Sequence, residues 1–86
     1  MSSDCYYRAV DRKELRRRLA ARPQNVRFDE IERLLLLSGW TLERTRGSHK
    51  HYRKNGERVS VPFRRGTILI AYVRDVLRRT REEGDD

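Results

Sequence analysis

His49-Lys50-His51-Tyr52-Arg53-Lys54-Asn55-Gly56-Glu57-Arg58-Val59-Ser60-Val61-Pro62 is the stretch that decides the fold of this 86-residue chain. Asn55-Gly56 is a two-residue hairpin signal, because both residue types tolerate the positive φ of a type I′ turn. Such a turn fixes the register of its two arms. Lys54 then faces Glu57, Arg53 faces Arg58, Tyr52 faces Val59, His51 faces Ser60 and Lys50 faces Val61. Side chains alternate along a strand, so Tyr52, Val59, Val61 and the stem of Lys50 share a core face. His49, His51, Arg53, Arg58 and Ser60 share the opposite, solvated face. Pro62 closes the second arm, where its missing N–H suits an edge or an end. Val59, Val61 and Phe63 supply the core side of that strand.

Upstream, Trp40, Leu42 and Arg44 alternate with Thr41, Glu43 and Thr45, as in a strand half-buried against a helix. Gly47 interrupts this strand as a turn. Before it, Phe28, Ile31, Leu34 and Leu35 fall on one face at helical spacing, with acids in the first turn and Gly39 placed to end the helix. Pro23-Gln24-Asn25 separates that helix from an earlier basic one, Asp11 to Ala21, with Asp11 as N-cap. Downstream, a last helix begins after Gly66-Thr67 and runs towards Arg81. Ile70, Val73, Val76, Leu77 and Thr80 form its inward stripe. Tyr72 sits one step off that stripe.

The order helix–strand–strand–strand–helix predicts an α+β fold of the kind found in double-stranded-RNA-binding domains. A three-stranded antiparallel sheet carries two helices on one face, with an extra N-terminal helix. Residues 25–81 form the domain. Residues 1–24 are a basic extension, helical at 11–21, that either binds RNA or a partner or is simply solvated. Residues 82–86 are an acidic tail.

Charge placement narrows the function. The net charge is +8, and between Arg44 and Arg65 eight basic residues are opposed by Glu57 alone. Such a cluster attracts phosphate backbones through counterion release. The single cysteine, Cys5, cannot form a disulfide within this chain and reads as an incidental thiol. No apolar run approaches the length of a signal sequence or a membrane span, so a cytoplasmic protein that meets no membrane is expected. Two histidines and one cysteine, with no metal-ligand spacing and no glycine-rich phosphate loop, predict neither a metal nor a small-molecule cofactor. Ser48 and His49 are adjacent and would point to opposite faces of a strand, which argues against a serine-hydrolase triad.

Histidine among arginines and lysines remains. RNA can be cut without metal when a base removes the 2′-hydroxyl proton and the oxygen attacks the adjacent phosphate. Histidine titrates in the range that suits this step, and nearby cations stabilise the charge that builds on phosphorus. The same residues also fit a surface that binds RNA without cutting it, or a DNA-binding regulator. Trp40 and Tyr52 read as core rather than as platforms for bases.

Several ordered segments add a resemblance: Asn25-Val26-Arg27-Phe28, Ser38-Gly39-Trp40, Arg46-Gly47-Ser48-His49, Tyr52, Val59-Ser60-Val61-Pro62 and Ala71-Tyr72-Val73-Arg74. Together they resemble HicA toxins over residues 25–81. The resemblance implies a ribonuclease of a type II toxin–antitoxin system that cleaves mRNA, blocks translation under stress and is neutralised by a HicB-like antitoxin. It implies that His49 is catalytic, with Gly47 shaping the active-site turn and Ser48 and His51 in support. Arg46, Lys50, Arg53, Lys54, Arg58, Arg64 and Arg65 are the expected RNA contacts. Many HicA proteins carry a second histidine directly after the first, where this chain has Lys50. Many also carry one after the Val-x-Val-Pro segment, where this chain has Phe63-Arg64-Arg65. Either His51 or a lysine then serves in its place, or turnover is poor.

Overall fold

A computed structural model describes residues 11–82, so the readings of Cys5 and of residues 83–86 fall outside the described residues. The elements run α1 (Arg12–Ala21), α2 (Phe28–Leu37), β1 (Thr41–Arg46), β2 (His49–Lys54), β3 (Glu57–Pro62) and α3 (Ile70–Arg79). The strands form one antiparallel sheet in the order β1-β2-β3. This is the α+β arrangement that the sequence predicts.

The β2–β3 hairpin has the predicted register throughout, from Lys54 opposite Glu57 to Lys50 opposite Val61, with His49 opposite Pro62. Asn55 (φ 50°) and Gly56 (φ 82°) both adopt the left-handed conformation that the turn demands. Tyr52, Val59 and Val61 are buried on the inner face. There they join Phe28, Ile31, Leu34 and Leu35 of α2 and Val73 and Val76 of α3 in one core.

Each helix has local reasons for its limits. The Asp11 carboxylate accepts the Glu14 amide at 2.9 Å and starts α1. Glu30 reaches back to the Arg27 amide at 3.0 Å at the start of α2 and also takes Arg22 in an ion pair of 2.7 Å. That ion pair holds the Glu30 carboxyl below its ordinary range. Gly39, at φ 92°, turns the chain out of α2, and the Trp40 amide donates to the Leu35 carbonyl at 3.0 Å.

Four readings need correction. β1 is exposed along its whole length, and Leu42, expected to be half-buried, is 45% exposed. It is an edge strand that reaches past the cover of the helices. Its alternation breaks at a bulge between Leu42, opposite Tyr52, and Arg44, opposite His51. Phe63 lies one residue beyond β3 and is 52% exposed rather than core. Ile70 is exposed at the start of α3, and Ile68, which the helical stripe omits, is buried instead. The Ile68 amide donates to the Val26 carbonyl at 2.7 Å, and Thr67 bridges Arg27, which pins the 63–69 segment to the linker before α2.

The N-terminal helix is part of the same core. Leu15 and Leu19, one turn apart, are buried in it. Arg16 donates to the Leu77 carbonyl and the Thr80 hydroxyl (2.5 and 2.8 Å), and Arg12 to the Thr80 carbonyl (3.2 Å). Two arginines of α1 therefore cap the carbonyl end of α3, where the helix dipole favours cations.

Candidate active site

His49 opens β2 on the outer face of the sheet, between Arg46 of β1 and Pro62 of β3. It is exposed, as are Arg46, Gly47 and Ser48. The turn before it is held from both sides. Gly47 has φ 61°, and a Cβ placed on it would meet nothing within 4 Å. The glycine is therefore needed for conformation rather than for space. On the other side, the Phe63 amide donates to the Ser48 carbonyl at 2.5 Å, which extends the β2–β3 ladder one step past Pro62.

The next outer row is Arg44, His51 and Ser60. His51 is half-buried, and its Nδ1 lies 2.5 Å from the Ser60 hydroxyl. Only its Nε2 is then left to serve a substrate. The two histidines thus share a face, as predicted, but differ in freedom: His49 stands open and His51 is tethered.

The third outer row pairs Arg53 with Arg58 directly across the ladder, a like-charge contact that disfavours pairing on its own. Glu43 resolves it. The bulge turns Glu43 towards this face, where its carboxylate takes Arg53 at 2.9 Å and Arg58 at 3.2 Å. Desolvation pushes the Glu43 carboxyl up, but the Arg53 hydrogen bond and the charges of Arg58, Arg53 and Arg44 outweigh it. The carboxyl lies below its ordinary range. Strict alternation of β1 would put Arg44 on the core side and gives no hint of this clamp.

The two lysines occupy the other side of the sheet. Lys50 lies 3.8 Å from the Glu32 carboxylate and sits over the rings of Phe28 and Phe63, 5.1 and 5.7 Å from their centroids. Lys54 donates to the Ser38 carbonyl at 2.6 Å, at the end of α2, and lies 3.7 Å from Glu82. The same Glu32 oxygen accepts the buried Tyr52 hydroxyl at 2.5 Å. Burial first, and then this carboxylate, push the Tyr52 hydroxyl far above its ordinary range. Lys50, Lys54 and Tyr52 thus hold the sheet to α2.

Of the seven expected RNA contacts, four already have carboxylate partners. Arg46, Arg64 and Arg65 are exposed and form no ion pair among the described residues. All three belong to the end of the sheet where His49 stands. Sequence reasoning missed the roles of Glu43 and Glu32, since an ion-pair partner across a fold leaves no local signature.

With this geometry in place, comparison with known proteins decides the family. A family model for the HicA toxin of bacterial toxin–antitoxin systems matches residues 28–81. The chain belongs to the HicA toxin family. Searches of curated proteins and of solved structures each gave no match. The HicA match spans α2 through α3 and includes the Gly47-Ser48-His49 turn, while α1 lies before it. As a toxin of a toxin–antitoxin pair, this HicA protein has an antitoxin partner. None of its described helices is long and apolar enough to cross a membrane.

Proposed function

We propose that this HicA toxin is a metal-independent endoribonuclease that cleaves mRNA and so blocks translation, with His49 as general base or acid. The observation that supports it most is the setting of His49. It is exposed at the start of a paired strand, directly across the ladder from Arg46, which forms no ion pair among the described residues, at the end of the sheet where Arg64 and Arg65 also emerge. In the reaction, the base takes the 2′-hydroxyl proton, the 2′-oxygen bonds to phosphorus and the P–O5′ bond breaks. A proton then goes to the leaving oxygen, and a 2′,3′-cyclic phosphate remains. The arginines offset the charge that builds on the phosphoryl oxygens. Ser60 orients His51, whose Nε2, two residues along the same face of β2, serves as the second group for proton transfer. A HicB-like antitoxin is the partner that would silence the site, and the cytoplasm, where mRNA is found, is the compartment.

A second reading, an RNA-binding module that does not cleave, draws support from the tethering of His51 and from Lys50 standing where many relatives have histidine. Growth arrest and RNA cleavage, compared for wild type and His49→Ala at matched expression, separate the two. The first reading expects both effects with the wild type and a loss of about 10²- to 10⁴-fold in cleavage for a folded, RNA-binding His49→Ala protein. Equal behaviour of the two proteins would leave the binding module as the better account.

A further inference from the structure

The fold does not explain the setting of Phe63. It touches the buried Phe28 edge-on, with ring centroids 5.1 Å apart and planes at 78°, yet 52% of it stays open to solvent. A leucine would cover Phe28 as well, so the core does not require an aromatic ring here. The ring's position is nonetheless tightly set. Its backbone amide is bonded to Ser48, its ring is held by Phe28, and Lys50 lies 5.7 Å from its centroid. Two exposed arginines, Arg64 and Arg65, with no ion pair among the described residues, follow directly.

We propose that Phe63 is a stacking platform for an unpaired nucleobase adjacent to the phosphate that meets His49. This rests on the reading of the site as an RNA-cleaving one. Strand alternation turns His49 outward and Phe63 towards the helices, one step apart on paired strands, so both border the same end of the sheet. An RNA strand that crosses this end meets Arg46 and His49 on one side and the Phe63 ring on the other. Arg64 and Arg65 lie along its backbone. An exposed aromatic ring among cations is how proteins hold single-stranded nucleic acid, because every base offers a π-face whatever its sequence. An open ring also selects against duplex, whose bases are already stacked. The toxin would therefore prefer unpaired segments of mRNA.

The test uses the full chain carrying His49→Ala, which prevents cleavage, and a short unstructured oligoribonucleotide. Its binding is compared with that of the same backbone bearing abasic sites. The proposal expects the base-containing RNA to bind at least about fivefold more tightly. Phe63→Leu, which keeps an apolar contact to Phe28, should lose that preference, and Phe63→Tyr should keep it. With His49 intact, Phe63→Leu should raise KM for single-stranded RNA and leave kcat within about twofold. Equal binding of the two RNAs by the parent protein, or an unchanged preference in Phe63→Leu, overturns the platform and leaves the ribonuclease reading standing. Absence of salt-sensitive binding to either RNA overturns both.

Discussion

The two hairpins of the sheet share strand β2 and differ in nearly everything else. The β2–β3 ladder runs through six regular pairs and buries Tyr52, Val59 and Val61. The β1–β2 ladder slips at a bulge, and every residue of β1 is exposed. One hairpin therefore carries the fold, and the other presents charge. Their turns differ in the same sense: Asn55-Gly56 only reverses the chain, whereas Gly47-Ser48 delivers His49.

Core substitutions should show this division most strongly. Tyr52→Ala empties a fully buried site and should cost about 3–5 kcal/mol, enough to abolish a cooperative thermal melt in a domain of this size. Leu42→Ala, opposite it on β1, should cost less than about 1 kcal/mol. Similar melting curves for the two variants would contradict the division of labour.

The turns sharpen the comparison at a smaller scale. Gly47 and Gly56 both have positive φ, and neither has an atom within 4 Å of an added Cβ. A valine at either position should therefore cost a similar 1–2 kcal/mol in backbone strain. Only Gly47→Val should lower cleavage, by at least about tenfold under conditions where both variants stay folded, because it moves His49. Gly47→Asn, which tolerates that backbone, should retain activity. Equal cleavage by Gly47→Val and Gly56→Val would show that the first turn is no more than a connection.

The smallest effect concerns the clamp. Glu43→Gln frees Arg53 and Arg58 for phosphate, so RNA binding should tighten a few-fold, with a steeper salt dependence of log Kd. Because the Glu43 carboxyl is held below its ordinary value of 4.5, it stays charged and the clamp stays closed above that pH. The clamp opens only as pH falls further. The wild type should therefore approach the variant only in that acid range, with titration of binding against pH as the measurement.

Legibility followed the range of the forces. The β2–β3 register was readable because a two-residue turn dictates it locally, and α2 because Phe28, Ile31, Leu34 and Leu35 repeat at helical spacing. The outward placement of His49 followed from the same register. The bulge at Glu43 was not readable, since it satisfies Arg53 and Arg58, ten and fifteen positions away, and an alternating strand reads the same with or without it. Phe63 reads as core because an aromatic one step past a strand continues its alternation, and nothing nearby marks where the helices stop covering the sheet. The expected list of seven cations likewise counted charge without its partners. Glu32, Glu43 and Glu82 divide that list into residues that hold the fold and residues left for a ligand.

The capping of α3 by α1 has a consequence for how the protein comes into being. Arg16 and the Leu77 carbonyl it serves are 61 positions apart. During synthesis the first described helix meets α2 early, but Arg12 and Arg16 must wait for α3 to bring the carbonyls they cap. Closure of such a distant contact comes late in folding. The sheet that bears His49 is thus translated before α3, and the shared core closes only once α3 brings Val73 and Val76 and offers its carbonyl end to α1.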